Sequence, residues 1–119
     1  MEADSKRQIK IKSGMVKRIT REYESYEQEI KKDKERINKL REAEADEHDL
    51  RKQEEVLQES ISMLPNTKRR LQEAHEELKN LMKELDSIEE LTSSEEWQEA
   101  TEILTRAETQ VLGDVVVAQ

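Results

Sequence analysis

The chain contains no cysteine and no phenylalanine, one proline, two glycines, and three other aromatic side chains, Tyr23, Tyr26 and Trp97. Without cysteine there is no disulfide framework, no thiolate chemistry and no cysteine-built zinc site. So little proline and glycine argues against a disordered chain, which is usually enriched in both. Long apolar runs are missing too: nothing approaches the ~20 residues that span a bilayer, and the opening residues Met1–Gln8 are largely polar. The expectation is a soluble protein of a reducing compartment, placed in the cytosol. Apolar bulk is scarce as a whole. Hydrophobic residues make up 33% of the 119 and charged residues 42%, too lean a balance for a compact globule of this length to offset chain entropy.

What is present favours helix. Ala, Glu, Lys, Leu and Arg fill 62 of the 119 positions, a composition typical of long helices and thin bundles. The net charge of −8 is unevenly spread: residues 1–21 carry seven basic and two acidic side chains, residues 73–119 three basic and thirteen acidic. Antiparallel folding would bring these oppositely charged segments together.

Apolar positions recur at the period of a helix. Ile9, Val16, Tyr23, Ile30 and Ile37 lie seven apart, and a second row follows three residues later with Ile19, Tyr26 and Leu40. Lys12 and Asp33 occupy the remaining places of that second row. The pattern predicts one long helix from about residue 6 to 43 with a single buried seam. Residues 44–49 break it, and Asp46 is suited to cap a second helix. That helix is expected from about 47 to 90, with leucines at 50, 57, 64, 71, 78 and 85. Pro65 lies inside the run, where it removes a backbone donor and crowds the carbonyl of Ile61. Because the leucine register continues across it, the expectation is a kink and not a stop. Ser93 to Glu96 fit a capping box with Ser93 as N-cap, opening a third helix over about 94–112 with the stripe Trp97, Ala100, Leu104, Ala107 and Val111. Gly113 is placed to end it, and 113–119 is expected as a flexible tail. The simplest closed arrangement is all-α: one domain over 1–119, an elongated antiparallel three-helix bundle whose second helix is kinked at Pro65. A monomer is expected, with a homodimer as the option the leucine heptads leave open.

Catalysis finds no support. There is no glycine-rich phosphate loop, no Ser-His-Asp order and no nucleophilic cysteine. His48 stands between Glu47 and Asp49 on an interhelical turn, where adjacent side chains do not converge on an ion, and His75 reads as a boundary residue beside the leucines. No catalytic, cofactor-binding or metal-ligating residue is assigned, and the chain is not expected to be an enzyme. The basic stretch from Lys6 to Arg21 invites a nucleic-acid reading. A basic-region zipper, however, needs that stretch directly ahead of the zipper, and here the apolar seam runs through it. Membrane association would require the same seam twice, so neither nucleic acid nor membrane is an expected partner.

Two segments carry a more specific signal. Arg7-Gln8-Ile9-Lys10-Ile11-Lys12-Ser13-Gly14-Met15-Val16-Lys17-Arg18 is one. The other is Lys52-Gln53-Glu54-Glu55-Val56-Leu57-Gln58-Glu59-Ser60, followed by Met63-Leu64-Pro65 and Arg69-Arg70-Leu71. In this order and spacing they resemble the tubulin-specific chaperone A family, also called tubulin folding cofactor A, and Glu95 to Ala100 is similar to that family's third helix. Ile61-Ser62 before the proline and Asn66-Thr67 after it depart from the family's pattern. The resemblance spans about residues 6 to 108 and implies the same proline-kinked three-helix bundle. It also implies a function without nucleotide or other cofactor: capture of β-tubulin folding intermediates released by the cytosolic chaperonin. The captured chain would pass to other tubulin folding cofactors for assembly with α-tubulin, in the cytoplasm and in association with the cytoskeleton. The alternative is a structural coiled-coil adaptor with no folding role. Lys10, Lys17, Arg18, Gln58, Glu59, Arg69 and Arg70 are the expected protein contacts, because they lie in the matched segments and mostly off the seam. Tubulin's acidity makes the basic first helix a candidate steering surface.

Overall fold

A computed structural model describes residues 2–113, so the expected tail from Asp114 onward lies outside the described residues. Two long helices, α1 (Glu2–Glu42) and α2 (Glu47–Leu85), precede a single turn, α3 (Glu89–Thr92), and a shorter helix, α4 (Glu95–Ala107), which continues as a π-helical turn over Glu108–Leu112. The result is a rod of 64 × 28 × 17 Å.

Local chemistry makes the hairpin. Glu44 adopts the left-handed conformation (φ 53°), which lets the Ala45 amide return to the Leu40 carbonyl at 2.9 Å and close α1. Asp46 then caps α2, its carboxylate accepting from the His48 amide at 3.5 Å, with Glu47 and Asp49 in the first turn where negative charge suits the helix dipole. Cross-pairs fall in reverse order along the two helices: Lys12 with Glu77 (3.5 Å), Glu22 with Arg70 (2.9 Å) and Arg41 with Glu54 (3.2 Å). The hairpin is therefore antiparallel.

Two expectations are corrected at the far end. α2 stops at Leu85, short of residue 90. Ile88 turns extended, and the chain doubles back so that Leu91, with no exposed surface, plugs the end of the core. Burying that leucine requires the break. The cap of α4 is Ser94, not Ser93: the Trp97 amide donates to Ser94 Oγ at 3.2 Å, while Ser93 Oγ donates to the Glu89 carbonyl at 2.9 Å and closes α3. Gly113 (φ 55°) ends the π turn, its amide reaching the Glu108 carbonyl at 2.8 Å.

α4 lies parallel to α1 and antiparallel to α2, completing the three-helix bundle. Arg106 of α4 reaches Glu24 at 3.2 Å, and beyond α4 the π turn brings Glu108 Oε2 to within 2.7 Å of His75 Nε2. The core runs through Ile9, Val16 and Ile19, through Leu71, Ala74, Leu78 and Met82, and through Leu91, Ala100, Ala107 and Leu112. Ala100 and Ala107 are fully buried, their small side chains allowing α4 close to the hairpin.

One thirteen-residue helix covers only part of a hairpin this long. Past the reach of α4 the seam has two walls, not three, and Ile30, Leu50, Leu57 and Leu64 are only half-buried. Leu57, expected in the core, is thus a partly exposed position. Asp33 and Thr67 are fully buried in this region. Thr67 Oγ1 donates to the Met63 carbonyl at 2.8 Å, and Asp33 is held by Ser60 and Arg36. Pro65 is exposed and sits within α2, which continues through it.

Candidate interaction surface

A helical hairpin has two flanks either side of its seam. On α1 the seam positions Ile9, Val16 and Ile19 leave Ser13, Thr20 and Glu24 on one side and Ile11, Met15, Arg18 and Glu22 on the other. α4 takes the first side. On α2 the matching division puts His75 and Met82 towards α4, with Val56, Arg70, Glu73 and Glu77 away from it. The large hydrophobic residues that remain exposed among the described residues are Ile11 (58%), Met15 (42%) and Val56 (38%). All three fall on the flank that α4 leaves open.

The groove at the Ile11–Met15 end of this flank holds about 530 Å³ and is lined by Met15, Arg18, Ile19, Glu22, Arg70, Glu73, Ala74 and Glu77. Ion pairs bridge it on both sides: Glu22 with Arg70 at 2.9 Å and Lys12 with Glu77 at 3.5 Å. Arg18 and Glu73 make no ion pair among the described residues. A second groove, about 290 Å³, separates α1 from α4 and sets Lys10, Ser13 and Gly14 against Glu95, Glu96, Glu99 and Ile103. A third, about 530 Å³, lies in the two-helix half between Lys34, Ile37, Asn38 and Arg41 on α1 and Glu54, Leu57 and Gln58 on α2.

The seven expected contact residues therefore do not form one patch. Arg18 and Arg70 share the first groove. Glu59 points to the same open flank farther along, and Arg69 lies on the outer face, donating to Asn66 at 2.8 Å. Lys10 faces the acids of α4, Lys17 lies exposed on that same side, and Gln58 lines the third groove. Between the levels of Lys10 and Gln58 run about 36 Å of helix. Position in the matched segments and mostly off the seam picked out these polar residues and passed over the apolar Ile11, Met15 and Val56. A signal was available: all three sit inside the two matched segments yet off both seam rows.

Folding also redistributes the charge. The basic start of α1 is laid beside the acidic α4 and the end of α2, so Lys10 and Lys12 meet carboxylates instead of solvent alone. Near the middle of the rod, burial first and the carboxylate of Glu27 second push the Tyr23 phenol above its ordinary value.

A slender bundle with open, charge-lined grooves belongs to the class of proteins that act by binding other proteins through their surface. The chain belongs to the tubulin binding cofactor A family, whose profile matches residues 4–104, and so is not an enzyme. It is 45% identical over 98 residues to tubulin-specific chaperone A of Gallus gallus, covering 82% of this chain and 88% of that protein. The fold superposes on the crystal structure of tubulin folding cofactor A from Arabidopsis thaliana with a TM-score of 0.83 at 32% identity, covering 91% of this chain and 99% of that one. The human tubulin chaperone cofactor A structure matches with a TM-score of 0.68 at 40% identity over 85% and 95% of the two chains. Among the described residues no helix is long and apolar enough to cross a membrane.

Proposed function

We propose that this protein is a tubulin chaperone that captures β-tubulin folding intermediates and holds them without nucleotide until other tubulin folding cofactors take them over. Family membership over residues 4–104 carries the reading, and relatives named tubulin-specific chaperone A support it. The physical build supports it too. A highly charged rod with a self-sufficient core can occupy a client's incomplete interface without unfolding, and its exposed apolar side chains offer contacts for a client that has not yet buried its own. The chain acts in the cytoplasm, as a monomer. Lys10, Lys17, Arg18, Gln58, Glu59, Arg69 and Arg70 remain its proposed contacts, with Arg18 and Arg70 at the centre.

The test is size-exclusion chromatography of the purified chain with β-tubulin released from the chaperonin, with no nucleotide present. A one-to-one complex is the expected result, and the free chain should sediment as a 14.1 kDa elongated monomer. A complex that crosslinks several partners and leaves folding yield unchanged would favour the coiled-coil adaptor.

A further inference from the structure

We infer that the open flank of the α1–α2 hairpin, centred on Met15 and Ala74, receives an amphipathic helix of the client, on the side of the hairpin opposite α4. The inference rests on the chaperone reading above and names the surface and the kind of segment it takes.

Three observations lead there. Ile11 and Met15 are one helical turn apart on α1, both exposed, beside the groove whose floor is Ile19 and Ala74. Exposed apolar side chains confined to one flank mark a surface that becomes covered. The other two grooves are less suited. The α1–α4 groove is smaller, about 290 Å³, and already sets Lys10 against three glutamates, and the lining of the third includes none of the exposed large hydrophobic residues.

The occupant follows from what the hairpin lacks and what it offers. It has no sheet edge, because helix backbone groups bond within their own helix, so an extended segment laid on it would leave its own amides and carbonyls unpaired. A helix satisfies its backbone internally. α4 shows that a flank of this hairpin holds a helix of thirteen residues, seated through small residues at the closest approach. On the open flank Ala74, 6% exposed, supplies the small residue from the hairpin's side.

Charge sets the polarity of the occupant. Arg18 on the α1 wall and Glu73 on the α2 wall line one groove without pairing to each other or to another residue among those described. A helix between them is complementary when it turns a carboxylate towards Arg18 and a cation towards Glu73, with its apolar stripe on Ile11 and Met15. The client segment is thus a helix of mixed charge.

The experiment measures β-tubulin binding to Ile11→Glu/Met15→Glu beside wild type and a Gln98→Glu control on the exposed face of α4. Both replaced side chains are exposed and glutamate favours helix, so circular dichroism and the unfolding midpoint should stay close to wild type. The dissociation constant should rise at least about tenfold in the double variant, with the control unchanged. Wild-type affinity in the double variant would overturn the inference while leaving the chaperone reading intact. Failure of wild type to bind tubulin would overturn both. Because the chain has no cysteine, a photocrosslinker on Met15→Cys is the only label. It should map to a helical segment of tubulin bearing both charge signs; crosslinks confined to strands or loops would overturn the helix assignment.

Discussion

Ser60 donates its hydroxyl across the hairpin to Asp33 Oδ2 at 3.3 Å, fixing a carboxylate with no exposed surface at a seam position that elsewhere in its row is mostly apolar. Arg36 approaches Oδ1 at 3.2 Å from the same helix, with half of its side chain in solvent. Desolvating the carboxylate opposes folding, while its two partners and the correct register depend on it. Asp33→Ala should cost about 1–3 kcal/mol, because it strands the Ser60 hydroxyl and opens a small void. Asp33→Leu should be neutral or stabilising. Urea unfolding separates the cases: a leucine variant clearly less stable than wild type would mean that the hydrogen bonds of Asp33 outweigh its desolvation.

Leu71 and Leu57 occupy equivalent heptad places with different surroundings. Leu71 is fully buried beneath α4, so Leu71→Ala should cost about 2–5 kcal/mol. Leu57 faces only two helices and is half-buried, so its replacement should cost about 1 kcal/mol. Denaturant titration of both variants checks the difference, and equal losses would contradict the two-walled seam.

A bend at Pro65 is expected from its missing amide and its crowding of the Ile61 carbonyl. Pro65→Ala restores that hydrogen bond and should raise stability, by up to about 3 kcal/mol where the ring is unsupported. Small-angle scattering should then show a longer rod. An unchanged profile would mean that α2 is straight at the proline already.

Tyr23 predicts a specific alkaline behaviour. Its folded-state pKa is raised, by burial and then by Glu27, above the ordinary 10.0. The folded protein thus prefers the neutral phenol. This contribution is fully present below pH 10 and is lost as pH rises through the higher folded value. Unfolding free energy should fall more steeply in wild type than in Tyr23→Phe through this window. Parallel curves would show that the phenol is not perturbed.

Steering by the basic start of α1 can be read from kinetics. Lys10→Glu, Lys17→Glu and Arg18→Glu together should leave helicity nearly unchanged, since exposed charges contribute little to stability. Association with β-tubulin should slow, and wild-type association should itself slow as salt rises, because such forces are screened over ~8 Å at physiological ionic strength. Stopped-flow binding at two salt concentrations decides it. Equal rates at low salt would remove α1 as the steering surface, a result that the acids of α4 facing Lys10 make worth testing.

Much was legible from local pattern. The seam residues Ile9, Val16, Ile19 and Ile37, the Asp46 cap and the closing Gly113 follow from side-chain period and from the few residues able to satisfy or leave a helix end. Order and spacing in the segments around Gly14 and Pro65 were enough to identify the family. Other features depend on contacts distant in sequence. A heptad states how far a residue lies from the seam, but the two flanks are equivalent until a third helix chooses one. Only the packing of Ala100, Ala107, Leu91 and the His75–Glu108 contact assigned that choice. It left Ile11 and Met15 uncovered, while Val56 lies past the reach of α4. The pairing of α1 with α2 brings Arg18 to the groove of Arg70, and the turn that buries Leu91 sets the cap at Ser94 instead of Ser93. Composition determined that this would be a thin helical rod, because there is too little apolar surface for anything thicker; tertiary packing decided which side of the rod is open, because one short helix can shield only one flank.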